Sequence, residues 1–474
     1  MTAVAQGEGL RKALSTKDIF AAGVGLVVAA STLVSDFQGW FSAGRGFALG
    51  LLAMFVVNML LGLSAAELST TYPKAGALYD YGAAATPGGH AAKAIVGIFL
   101  GLLFYVMFMF AGAGETLAGA SGMVGLFDGG SVTMWVLVLT VLAVIPNLFG
   151  IEVLARLEMW LIVAMLAIRY FFGLAGFGGF SDLGGWSWDN IPSTPADYSG
   201  LSGLLLIAGA WAFWSFVGIE FVAPLAEETQ DPARNIPRGI VWGLIAILAT
   251  SMFMGLGVSG INSDWASIVS DDAPQLEVGE AMFGDTGRVL MALAAALASF
   301  ASMTVVYASM PRILYGMSRN GHFLGPLSRS FGSVHARYRT PWVATLFTAV
   351  LYTFVTIYFG IVRNGGAGVG DLIFTAAYVW MLLYVTYHVL VIVSRYVNPD
   401  VNRPFKLPLA VPAVGFLLTL YVWYEAFTDG GHSFYGPRAL WMIAGSLVVA
   451  VLSYMMHDAS DQVDHLEEEL HQTI

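Results

Sequence analysis

Two apolar stretches of this 474-residue sequence contain polar and helix-breaking residues at positions where a plain membrane helix would be apolar. The first carries small and hydroxyl residues between Ala29 and Ser35, followed by the carboxylate of Asp36. The second carries Gly218 and Glu220 inside an aromatic run. A charged side chain at mid-helix costs about 2.5–3.5 kcal/mol on insertion scales. Residues that cost this much indicate that the two stretches do more than cross a membrane.

A helix that opens within a membrane could bind a charged solute with its own backbone. The opened ends present unpaired N–H groups to an anion and unpaired carbonyl groups to a cation, and an amino acid carries one charge of each sign. Packing alone is the alternative, because small residues let helices approach closely. The two stretches begin about 180 residues apart, at corresponding positions of two blocks of five segments, which favours inverted repeats with a binding site at the midplane.

The elements that must position these residues are long apolar segments. Hydrophobic residues make up 57% of the chain and charged residues 11%, whereas an average soluble domain carries about 25% charged residues. A membrane helix needs roughly 20 apolar residues, and helices satisfy their own backbone groups in lipid. We therefore predict an all-α integral membrane protein with 12 transmembrane helices. The predicted segments are 18–43, 47–71, 91–122, 132–149, 152–176, 200–226, 239–260, 279–318, 342–362, 370–394, 410–428 and 438–457, the eighth continuing as a cytoplasmic helix toward Arg319.

The distribution of basic residues predicts the orientation. Of the 21 Lys and Arg residues, only five lie outside the loops on one side: Arg45, Arg169, Arg288, Arg363 and Arg438. Since cytoplasmic loops are enriched in Lys and Arg, we expect both termini in the cytoplasm. No signal peptide is recognisable, the chain has no cysteine, and the lack of any Asn-X-Ser/Thr sequon fits a bacterial inner membrane.

Three groups of motifs resemble one family of membrane proteins. They are Phe213–Glu220 with Leu225–Arg238, Ala66–Leu68 with Tyr72–Tyr79, and Arg312–Gly321 with Arg339–Trp342. They are similar, in that order, to the sixth helix and its loop, the end of the second helix, and the junction of helices 8 and 9 in the amino acid–polyamine–organocation (APC) family. The matches cover roughly residues 20 to 345.

The resemblance implies a five-plus-five inverted-repeat (LeuT-like) core with discontinuous helices 1 and 6. On this basis residues 1–17 form a cytoplasmic amino terminus, 18–400 the transport core, 401–457 helices 11 and 12, and 458–474 an acidic cytoplasmic tail. The implied function is secondary active transport of amino acids by alternating access, coupled to protons or sodium. A small amine or polyamine without a carboxylate, or amino acid/amine exchange, is the alternative.

The resemblance and the chemistry of the residues together indicate which residues form the sites. Substrate-binding residues would be Ala29, Ala30, Ser31, Thr32, Asp36, Tyr105, Trp214, Val217, Gly218 and Glu220, and coupling residues Glu220, Ser302 and Thr304. Trp214 matches an aromatic gate, and Ala29 to Ser31 match a Gly-Ser-Gly-type break whose amides hold a substrate carboxylate. The missing glycines are a departure from the family pattern. The absence of these glycines, together with the nearby Asp36 and Gln38, slightly favours an amine as the substrate.

The remaining charged residues carry separate expectations. Arg169 is expected to neutralise Asp36 or Glu115, because membrane-buried charges are usually paired. The alternative is that each of these side chains extends to the membrane interface. Glu158 and Arg156 are expected to form an ordinary surface pair, and His388 to be a packed core residue.

No cofactor, metal or nucleic-acid partner is expected. The other histidines lie in loops or the tail, without metal-ligand spacing. A membrane-embedded enzyme therefore lacks an evident catalytic cluster. A channel would need a continuous polar pore, whereas the polar residues here concentrate at two helix breaks. The expected partners are a small solute, a coupling proton or sodium ion, and the lipid bilayer.

Overall fold

The computed structural model describes residues 9–127, 129–196, 200–262, 264–265, 274–363, 369–428 and 431–457, and these residues are almost entirely helical. The α-helices are α1 Thr16–Val27, α2 Ala30–Ala43, α3 Arg45–Thr71, α4 Leu78–Ala85, α5 His90–Phe127, α6 Val132–Leu148, α7 Ile151–Gly178, α8 Gly200–Ile207, α9 Pro232–Ser259, α10 Pro274–Arg319, α11 Ser328–Phe331, α12 Trp342–Val355, α13 Val369–Val397, α14 Ala410–Ala426 and α15 Gly431–Met455. The predicted acidic tail, residues 458–474, lies outside the described part of the chain.

All twelve predicted segments fall on helices. Seven of these helices are long and apolar enough to cross a membrane, and an eighth span results if the bent pair α1 and α2 is counted as one. α6 and α14 are shorter apolar helices. Large apolar side chains such as Trp160 and Trp441 are exposed on the outside of the bundle. The chain is therefore a multi-pass membrane protein.

Two features of the helices differ from the prediction. α10 is bent at Phe283 and Gly284, where the backbone leaves helical geometry, so part of the excess length of segment 8 is a separate turn of helix before the bend. α4 was not predicted at all. It is an eight-residue helix between α3 and α5, too short to give an apolar signal of membrane length.

Glycines bring some helices into backbone contact. A Cβ on Gly176 of α7 would lie 2.1 Å from the carbonyl oxygen of Gly257 on α9, and one on Gly173 would lie 2.6 Å from the Phe253 ring. On α5, a Cβ on Gly112 would lie 2.3 Å from the Tyr352 hydroxyl. Small residues at such crossings are typical of helix packing in membranes, where close approach replaces the hydrophobic effect.

Ion pairs close the end of the bundle that is predicted to face the cytoplasm. Glu67 of α3 accepts two hydrogen bonds from Arg395 of α13, at 2.9 and 2.6 Å. Arg319 donates to Glu227 at 2.8 Å, and Arg312 donates to the buried carboxylate of Glu228. These carboxylates belong to the motifs that carry the family resemblance, so the motifs form the contacts that join helices at this end.

Three histidines that are far apart in the sequence meet at the same end. The ring of His322, in the loop after α10, lies 6.0 Å from that of His90 and 4.9 Å from that of His457, centroid to centroid. The spacing of histidines along the chain did not predict this cluster. Among the described residues, no three His, Cys, Asp or Glu side chains are arranged to hold a metal ion.

His322 is held in its neutral form. Burial, together with the neighbouring His457 and His90, lowers the pKa of His322 from 6.5 to about 3. Its Nδ1 atom lies 2.8 Å from the Tyr79 hydroxyl, and Tyr79 in turn accepts a hydrogen bond from Asn320 at 2.9 Å. In the neutral His322 ring, Nδ1 accepts a hydrogen bond from the Tyr79 hydroxyl when the ring proton is on Nε2. This hydrogen bond favours the neutral form of His322.

We expect acid to destabilise the protein through His322. Between pH 6.5 and about 3 the unfolded chain binds a proton at this residue and the folded chain does not, so the free energy of unfolding decreases as pH falls through that window. The His322→Gln variant should lose less thermal stability than wild type between pH 7 and pH 4, measured as Tm in detergent. His335→Gln is the control, since its ring bonds within its own loop. Identical pH profiles for wild type and His322→Gln would contradict the assignment.

Candidate functional site

The first predicted helix is broken where the sequence indicated. α1 ends at Val27 and α2 begins at Ala30, and the two helices are bent by 60°. Val28 has φ −81° and ψ 53°, and Ala29 has φ −76° and ψ 170°. Both φ values are negative and therefore accessible to ordinary L-residues. The break needs no glycine, which explains how Ala-Ala-Ser can replace the glycine-containing sequence of the family.

The sixth predicted helix is interrupted at its middle. α8 continues as a π-helical turn at Ala208–Ala212, and a 3-10 helix begins only at Ile219 and runs to Glu228. Between them Gly218 adopts φ 112° and ψ −5°, in the left-handed region. A Cβ at Gly218 would also lie 2.8 Å from Leu26 Cδ2 of α1. Glycine is required here for both reasons, and the two breaks pack against each other.

A small cavity of about 20 Å³ lies between the two breaks. Six of the predicted site residues line it: Ala29, Ser31, Thr32, Trp214, Val217 and Ser302. Phe108 and Glu115 of α5 and Trp380 of α13 complete much of the wall. The cavity therefore combines hydroxyl groups, aromatic faces and one carboxylate.

Trp214 joins the two broken helices across this cavity. Its indole Nε1 donates a hydrogen bond to the Ser31 hydroxyl at 2.7 Å, and its ring packs edge-on to Trp380 with centroids 5.9 Å apart. Thr32 donates to the Val27 carbonyl at 2.6 Å, which satisfies the last carbonyl of α1. Trp214 thus lines the cavity and links the two broken helices through Ser31.

Glu115 occupies the amino-terminal end of α2. The backbone N–H groups of Ala30 and Ser31 donate to its two carboxylate oxygens at 2.8 and 3.0 Å. The sequence showed Glu115 only as an acid in segment 3, and no local pattern indicated that it would reach the break in helix 1. It is the principal site residue that the sequence did not predict.

Five of the ten predicted substrate residues do not line the cavity: Ala30, Asp36, Tyr105, Gly218 and Glu220. Asp36 is fully buried and accepts hydrogen bonds from Ser215 at 2.6 Å and Ser251 at 2.8 Å. Arg169 Nη1 lies 3.5 Å from the second Asp36 oxygen. The partner of Arg169 is therefore Asp36 rather than Glu115, and this ion pair removes Asp36 from the expected site.

Tyr105 also does not line the cavity. Its hydroxyl donates a hydrogen bond to Thr348 at 3.0 Å. Glu220 lies just behind the wall. It accepts hydrogen bonds from the indole of Trp380 and, at 3.1 Å, from the Tyr384 hydroxyl. Tyr384 also accepts the backbone N–H of Gly218 at 3.2 Å. α13 thus holds the break in helix 6 and the Glu220 carboxylate together.

Glu158 is buried, which overturns the expected surface pair with Arg156. Residues two apart on a helix point in different directions, and Arg156 is exposed and bonds to a backbone carbonyl of its own helix. Glu158 instead contacts the Thr304 hydroxyl of α10. Its other oxygen has no hydrogen-bond partner among the described residues, and it lies 2.6 Å from the position of a Cβ on Gly25.

The buried stripe of α7 could have located Glu158. Leu154, Glu158, Ile162 and Met165 are all buried and recur every three or four residues, as expected for one helix face. His388 is packed as expected, with its Nδ1 atom 2.9 Å from the Ser64 hydroxyl.

Comparison with known proteins identifies the family. The family model for amino acid permeases matches residues 14–453. The chain is 24% identical over 485 residues to the branched-chain amino acid permease BcaP of Bacillus subtilis, covering 98% of this chain and 97% of that protein. It is 28% identical over 308 residues to the low-affinity putrescine importer PlaP of Escherichia coli, covering 62% of each.

The fold agrees with this result. The crystal structure of MhsT in complex with L-phenylalanine superposes with a TM-score of 0.58 and 14% sequence identity, covering 88% of this chain and all of that one. The architecture is thus that of LeuT-like membrane transporters. The chain belongs to the amino acid permease family, within the APC group that its motifs resemble. Members of this family are transporters rather than enzymes.

The conformation of Gly218 gives a prediction about stability. Placing a side chain in the left-handed region costs roughly 1–2 kcal/mol, and the new Cβ would also contact Leu26. Gly218→Ala should lower the Tm of the purified protein clearly. The control is Gly445→Ala on α15, where an added Cβ meets nothing within 4 Å. Equal stability of the two variants would show that helix 6 does not adopt this break.

Proposed function

We propose that the chain is a secondary active transporter that moves a small solute bearing an amino group by alternating access. One observation carries this proposal: helices 1 and 6 are both interrupted, and the interruptions face each other around one buried cavity. Interrupted helices supply unpaired backbone groups at membrane depth only where protein or a cavity surrounds them. A binding site that opens in turn to each side of the membrane suits a carrier better than a pore.

The proposed architecture follows from the same observation. Twelve spans are proposed, of which the first ten form two inverted repeats of five, each beginning with a broken helix. Residues 18–400 would form this core and residues 401–457 the two additional helices. The distribution of basic residues supports a cytoplasmic location for both termini, and we propose that the membrane is a bacterial inner membrane.

Both an amino acid and an amine carry the amino group that the proposed function requires. A relative named as a branched-chain amino acid permease covers nearly the whole chain, which supports an amino acid. A second relative is named as a putrescine importer, which supports an amine. Trp214, Trp380 and Phe108 provide apolar contact area for the body of the solute.

Glu158 and Glu220 are the proposed coupling residues. Both are buried, and an unpaired acid within a membrane protein is typical of proton relays. The Thr304 hydroxyl contacts both Glu158 and, at 2.7 Å, the carbonyl of Ala301. Since a hydroxyl has one proton to donate, a protonated Glu158 that donates to Thr304 satisfies the whole chain of contacts. A sodium ion held by Glu158 and Thr304, with Ser302 nearby, is the alternative.

Glu158→Gln should uncouple transport. Reconstituted wild type should accumulate solute above its outside concentration when a proton or sodium gradient is imposed, and the variant should only equilibrate it. Exchange of labelled for unlabelled solute should persist, because Glu158 does not line the binding cavity. Glu152→Gln, an exposed acid on the same helix, is the control. Concentrative uptake by Glu158→Gln at the control level would exclude Glu158 from coupling.

Trp214→Ala should reduce solute binding by about tenfold or more, because a large aromatic contact and the bridge to Ser31 are both lost. Trp160→Ala removes an exposed indole that points away from the bundle and should bind normally. Binding is measured as the ligand-induced increase in Tm and as competition with a labelled solute. Wild-type affinity in Trp214→Ala would remove this residue from the site.

A further inference from the structure

The anion-binding end of α2 is already occupied by a side chain of the protein. The N–H groups of Ala30 and Ser31 are the first two of this helix, and such groups lack intrahelical partners and attract negative charge. Glu115 takes one hydrogen bond from each of them, with one oxygen to each nitrogen. The Ala30 and Ser31 amides thus form a carboxylate-binding site, here called the carboxylate seat, and the Glu115 carboxylate occupies it.

Among the described residues, Glu115 has no cationic side chain to balance its charge. None of the ion pairs formed within the described parts of the chain includes Glu115, and Arg169, the nearest expected partner, is bound to Asp36. Glu115 is 4% exposed. It is also the only formally charged side chain among the residues that line the cavity.

The rest of the cavity wall suits a cation. Trp214, Trp380 and Phe108 present aromatic rings, and ring faces attract ammonium groups. α1 ends at the cavity with Leu26 and Val27, so its carbonyl end carries partial negative charge. Each carboxylate oxygen has two lone-pair positions. The backbone amides take one on each oxygen, and the Ser31 hydroxyl also donates to the carboxylate. One position is left for an ammonium group.

We propose that Glu115 determines substrate class: it fills the carboxylate seat from within the protein and selects organic amines that lack a carboxylate. An amino acid would have to displace Glu115 from two backbone amides or place a second buried negative charge beside it, and like charges in one buried site are strongly unfavourable. An amine instead pairs with Glu115 and leaves the amides satisfied. This inference rests on the proposed transport function and narrows its solute to the amine alternative.

Pairs of ligands that differ only by the carboxylate test the proposal directly. Phenethylamine is compared with L-phenylalanine, and 3-methylbutylamine with L-leucine, by ligand-induced increase in Tm and by uptake into proteoliposomes. The proteins are the full-length wild type, Glu115→Gln and the control Glu152→Gln, an exposed acid-to-amide change on α7. Glu115→Gln keeps the shape of the side chain and one oxygen for the backbone amides, and it removes the charge.

The wild type should bind each amine about tenfold or more tightly than the matching amino acid, since a charged hydrogen bond gained or lost is of that size. Glu115→Gln should weaken amine binding by a similar factor and shrink the preference, and Glu152→Gln should behave as wild type. The comparison of ligands on wild type stands even if Glu115→Gln does not fold.

Tighter binding of the amino acids by wild type would overturn the inference and leave the transport proposal intact. An unchanged preference in folded Glu115→Gln would also overturn it. If folded wild type neither binds nor takes up any of the four ligands or a wider panel of amines and amino acids, the transport proposal itself fails.

Discussion

Backbone groups released inside a membrane must find new partners, and this requirement organises the centre of the molecule. An unsatisfied N–H or C=O group in hydrocarbon costs several kcal/mol. The Ala30 and Ser31 amides at the break in helix 1 find the Glu115 carboxylate, and the Val27 carbonyl finds Thr32. At the break in helix 6, Tyr384 accepts the Gly218 amide. Each break is therefore completed by a side chain, mostly from another helix.

Six of the buried acids divide into two groups by their hydrogen-bond and ion-pair partners. Asp36, Glu67 and Glu228 each bind an arginine, and these pairs join helices at the outer and the predicted cytoplasmic ends of the bundle. Glu115, Glu158 and Glu220 are paired with no basic side chain in the described parts of the chain. Glu115 is bonded to backbone amides, Glu158 to a hydroxyl, and Glu220 to an indole and a phenol.

The difference in partners indicates different roles for the two groups of acids. A permanent ion pair holds two helices together, and removal of either member leaves an uncompensated buried charge. A carboxylate bound only to neutral donors can exchange a proton, a metal cation or an ammonium group without breaking such a pair. We infer that the first group of acids maintains the bundle and that the second group interacts with the solute and the coupling ion.

Hydropathy predicted the positions of the long helices well because burial in lipid leaves a signal 20 residues long. It missed α4, whose eight residues carry no such signal. It also misjudged segment 8, because the bend at Phe283 and Gly284 depends on local backbone geometry. The helix breaks were predicted at Ala29 to Ser31 and at Gly218, from the polar and helix-breaking residues of the two spans together with the family resemblance.

The partners of the acids could not be predicted in the same way. A sequence shows that Asp36, Glu115 and Arg169 lie in membrane helices, but the choice of pair depends on how helices turn toward each other. Glu158 was accessible to reasoning, because it lies on the buried stripe of α7. Glu115 was not, since its contact with Ala30 spans 85 positions of the chain.

The most direct test is an experimental structure of the protein in lipid nanodiscs with bound phenethylamine. We expect helices 1 and 6 to be broken and the Ala30 and Ser31 amides to remain bonded to Glu115. The ligand nitrogen should lie against the Glu115 carboxylate. Continuous helices 1 and 6, or a Glu115 side chain turned away from free Ala30 and Ser31 amides, would contradict it.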